Sequence, residues 1–391
     1  MSTSFNPPDL RRLQQRSLIV GVVFLVIFLI GLFVSHDEFH QAYIFAFTFW
    51  TGLSVGSLAL LMLQHLSGGG WGFVIRRILE ASTRVLPMIV IFFIPLVLGA
   101  RYTYRGWLEP ELAQELGDKT RYLNLPFFTI RSIIYLGAWL VLAYLLNRWS
   151  LAQDRTGDGE YAKKLRVLSG PGMVLLIFTI TFAAVDWYMS LEPKWSSTIY
   201  GFIYVASWSV SALAFVIAAL AILSKREPLN HVVAPLHFHD LGKLLLALVM
   251  LWAYFAFSQF LIIWSGNLPE EIEWYITRMH GTWGALILGV VILHFATPFL
   301  LLLSRGLKRD PHKLILVAVL ILAMRLIDYL WMLEPAFSHE HFHVSWMHPA
   351  GLIALGGFWF WMFTRELGRR ALIPFNDPQY ESVLEQVHAG H

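Results

Sequence analysis

Cysteine is absent from all 391 residues. Its absence excludes disulfides, thiolate-bound iron–sulfur clusters and covalently attached c-type haem on this chain, so any electrons it handles come from a bound molecule or a neighbouring subunit. Charge is scarce as well. Asp, Glu, Lys and Arg make up 14% of the residues against 57% hydrophobic ones, and mean hydropathy is +0.59. A typical soluble domain carries about 25% charged residues, so the composition describes a polytopic membrane protein.

Hydropathy predicts ten spans near 17–34, 41–66, 83–100, 127–147, 171–190, 199–224, 241–264, 279–304, 313–332 and 345–364, each able to cross a hydrocarbon core of about 30 Å. The first follows Arg11, Arg12 and Arg16 as a signal peptide would. It lacks a clear small-residue cleavage site and runs into His36-Asp37-Glu38, so it reads as a retained helix. The two termini and the loops after spans 2, 4, 6 and 8, with the adjoining span ends, hold 21 of the 29 Lys and Arg; the opposite loops hold six, and Arg131 and Arg325 lie within spans. That asymmetry predicts cytoplasmic termini. The net charge of +3 is then a topology signal and carries no implication of nucleic-acid binding.

Two stretches repeat at an offset of 142 residues: Val185-Asp186-Trp187-Tyr188-Met189-Ser190-Leu191-Glu192-Pro193 and Ile327-Asp328-Tyr329-Leu330-Trp331-Met332-Leu333-Glu334-Pro335. Each places a carboxylate near the end of an apolar span and a Glu-Pro where that span should meet water. An ionisable group inside the bilayer costs at least ~2.5 kcal/mol and marks a functional-site hypothesis. The repeat extends to Tyr43-Ile44-Phe45 with Trp50 against Tyr200-Gly201-Phe202 with Trp208, at offsets of 157 and 158, and to Arg131 against Arg278 at 147. The expected architecture is all-α: ten transmembrane helices, two pseudo-repeated four-helix bundles (41–198 and 199–335), and two peripheral helices, one in 1–40 and one in 336–391 with the C-terminal tail.

Depth sorts the polar residues into two sets. Asp186, Arg131, Asp328, Arg325, Arg278 and His280 form an outer layer, with Arg325 and Asp328 spaced for an i,i+3 pair. Either structural ion pairs or a polar pocket for an amphipathic redox ligand or proton path would place them so. Tyr254, Ser258, Gln259, His294, His65, His237, His239 and Asp240 descend toward the cytoplasmic side, where histidines and hydroxyls could relay protons or make packing hydrogen bonds. His280 and His294 lie 14 residues apart, the spacing of stacked b-type haems, but no other span supplies the matching pair. The run Ser338-His339-Glu340-His341-Phe342-His343 has alternating imidazoles, a weak metal pattern better read as solvent-exposed or contacting another subunit.

The ten spans, the paired Asp-x5-Glu-Pro ends and the segment Trp264-Ser265-Gly266-Asn267-Leu268-Pro269-Glu270-Glu271-Ile272-Glu273-Trp274-Tyr275 resemble the NrfD-like family of polysulfide-reductase membrane subunits, and within it the ActF-type subunits of bacterial alternative complex III. The resemblance implies a subunit of the bacterial inner membrane with no redox cofactor of its own. Its complex would oxidise quinol, usually menaquinol, and pass electrons to a cytochrome c or similar acceptor. Implied partners are the lipid bilayer, a sister ten-helix subunit of the ActC type, an iron–sulfur protein, multihaem and monohaem c-type cytochromes, and a terminal oxidase. A secondary transporter would also combine internal repeats with midplane charge, but it predicts matching breaks in both halves. Pro87 and Pro95 interrupt the third span, whereas the seventh has no proline and only Gly242. A purely architectural anchor is the remaining alternative.

Overall fold

The computed structural model describes residues 8–337 and 343–389, and no strand occurs among them. The principal helices are α1 (Pro8–Val34), α2 (His36–Ser67), α3 (Gly70–Thr83), α4 (Leu86–Leu98), α5 (Leu125–Thr156), α6 (Glu160–Trp187), α7 (Tyr200–Leu223), α8 (Pro235–Gly266), α9 (Pro269–Met279), α10 (Gly281–Val290), α11 (Thr297–Leu303), α12 (Pro311–Leu333), α13 (Met347–Gly368) and α14 (Tyr380–Ala389). Helices are the economical solution in hydrocarbon because every backbone N–H finds its acceptor within the segment. Among the described residues nine segments are long and apolar enough to cross a membrane. The α13 helix is not among them; Gly351, Gly356, Gly357, Trp359 and Trp361 dilute its apolar character.

Local chemistry sets the helix ends. Ser35 caps α2 by accepting from Glu38 N, Asn124 caps α5 by accepting from Phe127 N at 3.0 Å, and Asp310 caps α12 by accepting from His312 N at 2.9 Å. Asn267 closes α8 in the left-handed conformation at φ 47°. The third crossing differs from the sequence reading. It begins at Gly70, breaks at Arg84–Val85 and resumes with Pro87 in the first turn of α4, so Arg76, Arg77 and Glu80 lie within a helix rather than a loop. The eighth differs too: α9 is a separate helix, and the crossing that follows contains a π-helical turn at Val291–Ala296.

Helices α2 and α7 form the centre. The most apolar window of α2 is wholly buried and that of α7 is 78% buried. They approach closely because Gly52 and Gly56 of α2 face Trp208 of α7; a Cβ on Gly56 would lie 2.0 Å from the Trp208 carbonyl oxygen. Small residues that let backbones meet are the usual contact in lipid, where apolar burial gives no net drive. Helices α6, α12 and α13 pack around this pair, with α5 outside α6 and α8 against α7. Helix α1 lies on α13 through Gly21 against Gly357 and Gly31 against Met347, which makes the two antiparallel and brings the start of α1 and the end of α13 to one end of the bundle, the terminal end. The opposite end carries both Glu-Pro turns.

Candidate functional site

At the Glu-Pro end, α5 and α6 bring Arg131 and Asp186 together. Arg131 Nε donates to Asp186 Oδ2 at 2.8 Å and Nη2 to Oδ1 at 2.9 Å, while the Tyr135 hydroxyl donates to Oδ2 at 2.8 Å. The remaining Arg131 nitrogen, Nη1, donates to the Tyr122 carbonyl at 3.0 Å, and the guanidinium lies 3.7 Å from the Tyr122 ring centroid. Burial and the neighbouring Asp186 carboxylate push the Tyr122 phenol up from its ordinary pKa. This is a closed network: a bidentate pair with every charged nitrogen partnered.

The second pair has a different construction. Arg325 Nη1 lies 2.9 Å from Asp328 Oδ2, both on α12, and their side chains are 0% and 3% exposed. Among the described residues, none of the three guanidinium nitrogens makes a directed hydrogen bond; nor do Asp328 Oδ2, the Tyr329 hydroxyl or either ring nitrogen of His294. The guanidinium rests 4.7 Å from the Tyr329 ring centroid and 5.5 Å from that of Trp252. The π-turn directs buried His294 against Trp252, with ring centroids 4.3 Å apart. Such turns insert one extra residue into a helix and recur at functional sites. His294 therefore joins Arg325 and Asp328 rather than the descending set.

Both Glu-Pro turns are bonded rather than solvated. After α6 and α12 the chain tightens into 3₁₀ turns at Met189–Leu191 and Glu334–Ala336. Glu192 accepts from Arg278 Nη1 at 3.1 Å and Nη2 at 2.5 Å, and Arg278 also donates to the Trp274 and Met332 carbonyls. Glu334, 2% exposed, lies 2.6 Å from His348 Nε2. Arg278 thus sits at the end of α9, bridging the two sequence halves, and does not reach either Asp. His280 is exposed at the start of α10 and falls outside the layer predicted for it.

The predicted descending set does not assemble into one chain. Tyr254 is 63% exposed on the flank of α8. Gln259, five residues on and therefore on another face of the helix, is buried; it accepts from Ser197 Oγ at 2.8 Å and donates to the Tyr275 hydroxyl at 3.3 Å. Ser258 is half-buried beside it. His237 accepts from Ala234 N at the start of α8, and His239 lies 3.8 Å from Asp240, which holds Lys243 at 3.1 Å. His65 is half-buried at the far end of α2, near Arg76 and Glu80. Among the described residues neither ring nitrogen of His294 has a hydrogen-bond partner, so no bond links these groups to it.

A cluster at the terminal end went unrecognised in the sequence. Glu80 accepts from Arg76 at 3.1 Å, Arg77 at 2.7 Å, Arg370 at 3.1 Å and the Ser150 hydroxyl at 2.5 Å, with Arg84 at 3.9 Å. Asp377 pairs with Arg76 and Asp154 with Arg77, so α3, α5 and the tail after α13 meet on one buried carboxylate. The i,i+4 and i,i+3 spacing of Arg76, Arg77 and Glu80 is the sequence signal of this cluster. No group of three or more His, Asp or Glu suited to a metal occurs among the described residues. Residues 338–342 of the alternating-histidine run lie outside the described residues, and His343 stands 3.7 Å from Glu38.

No family model matches this chain, and no curated protein matches it.

Proposed function

We propose that this chain is a membrane subunit of a quinol-oxidising respiratory complex, NrfD-like and of the ActF type found in bacterial alternative complex III, with both termini on the cytoplasmic face of a bacterial inner membrane. In this reading α13 is the tenth crossing, because it runs antiparallel to α1 along the same slab and its 22 residues span about 33 Å. The units 41–198 and 199–335 are then parallel repeats centred on α2 and α7.

The observation that carries the reading is the shared layout of two helix ends, although their ion pairs are bonded differently. Each sets a buried Asp beside an Arg, then closes in a 3₁₀ turn whose Glu is itself bonded. Quinol oxidation releases two protons with two electrons, so such a subunit needs buried bases with cations to tune them. Asp328, Arg325 and His294 fill that role, while the closed Arg131–Asp186 network acts as a strut. Electrons would leave through the iron–sulfur and haem subunits, alongside a sister membrane subunit of the ActC type, and onward to a cytochrome c or terminal oxidase.

Mild purification from the native membrane tests the proposal. A haem spectrum with a co-purifying iron–sulfur protein and a second ten-helix subunit is the expected result. A colourless chain purified alone would overturn it in favour of the transporter.

A further inference from the structure

A cavity of about 310 Å³ opens at the Glu-Pro end between the last turn of α6, the start of α7, and helices α8 and α9. Val185, Ile262 and Ile263 form an apolar wall; Ser197, Gln259 and Glu271 present polar atoms. Ile262 is 59% exposed on the flank of the bundle, so the apolar side opens toward lipid. Glu271 belongs to the first turn of α9 at the bundle end, which places the polar side at the membrane boundary. The volume is at the lower edge of small-molecule pockets, roughly 300–1,000 Å³, and suits one ring-sized head rather than a whole lipid.

The lining decides the chemistry of the occupant. Gln259 is 2% exposed and held by Ser197 and Tyr275, so its amide is fixed in place with one N–H and one lone pair still free. Glu271 is half-buried, and no cation pairs with it among the described residues. An unpaired carboxylate repels phosphate and carboxylate heads and accepts from a hydroxyl. We propose that this cavity binds the head of a neutral, hydroxyl-bearing amphiphile: the hydroxyl donates to Glu271, Gln259 holds the far side of the head, and the apolar tail leaves past Ile262 into the bilayer. That the amphiphile is a quinol rests on the function proposed above; the site does not. The cavity lining includes none of Arg131, Asp186, Arg325 and Asp328; of the residues singled out in the sequence it takes in only Gln259, which was placed in the descending set.

The full chain in nanodiscs, titrated with a decyl-tailed benzoquinol and followed by tryptophan fluorescence, tests this. Saturable binding is expected, weakened at least about 10-fold in Glu271→Gln, since a hydrogen bond to a charged acceptor contributes about 1.5–3 kcal/mol. Ser197→Trp, which fills the cavity, should abolish it, and decanoate should not compete. Undiminished binding in Glu271→Gln, a variant at the bundle end that leaves the core intact, would overturn the site, as would equal competition by decanoate. Binding by a chain that co-purifies with no cytochrome would remove the proposed function and leave the site. A cytochrome-bound chain that binds no benzoquinol would do the reverse.

Discussion

Removing both charges of each buried pair should separate the two Asp sites. Arg325 and Asp328 lie against each other, with the Tyr329 and Trp252 rings beside the guanidinium. Asp328→Asn alone leaves a fully buried guanidinium without a counterion, a loss of about 3–5 kcal/mol against a total stability of about 5–15 kcal/mol. The double variant Arg325→Met with Asp328→Leu replaces the pair by apolar groups of similar volume and leaves no former hydrogen-bond partner stranded, so stability should return to within about 1 kcal/mol of the parent or above it. Arg131→Met with Asp186→Leu should not recover. It strands the buried Tyr135 hydroxyl and the Tyr122 carbonyl, at about 1–3 kcal/mol each, and unties α5 from α6. The assay is the fraction of folded protein left after graded heating in detergent, read by size exclusion for all four single and both double variants. Equal recovery of the two doubles would refute the distinction between an isolated pair and a networked strut.

Gly56→Ala should destabilise by about 1–3 kcal/mol, because its Cβ would meet the Trp208 carbonyl at 2.0 Å; a thermal midpoint equal to the parent's would contradict the central contact. Glu80→Gln should leave four arginines sharing a neutral amide, and release the tail: protease should then cut after Gly368 much faster than in the parent, whereas an unchanged rate would show that buried Leu372, Ile373 and Val383 hold it alone. At the Glu-Pro end, the Lys194 hydrogen bond at 2.7 Å and its charge hold the Glu115 carboxyl below its ordinary value of 4.5. A depressed folded pKa gives stabilisation that is complete above that ordinary value and lost as pH falls through the depressed one. Acid should therefore loosen the 110–121 segment in hydrogen exchange, and Lys194→Ala should erase that pH dependence. In an assembled complex, Asp328→Asn should lower quinol oxidation or its proton response; normal assembly with both intact would end the proton-handling role.

Composition and hydropathy were enough to place this chain in the membrane as a helical bundle, because a crossing segment must satisfy its own backbone within a local stretch of sequence. The Arg325–Asp328 pair was legible for the same reason: i,i+3 neighbours on one helix need no knowledge of the fold. The other contacts join distant residues. Arg131 and Asp186 are 55 positions apart, Arg278 and Glu192 86, Arg370 and Glu80 290. Hydropathy scores segments singly and cannot say which faces meet, so it put Tyr254 on a polar path when packing turned it outward, and left Glu80 in a loop when packing buried it. The π-turn that carries His294 inward and the split of the third crossing at Arg84–Val85 likewise lay beyond a periodic reading, which assumes an unbroken 3.6-residue turn. Sequence thus determined which residues are costly in the bilayer, and tertiary structure decided which of them are fully partnered and which are left with groups to spare.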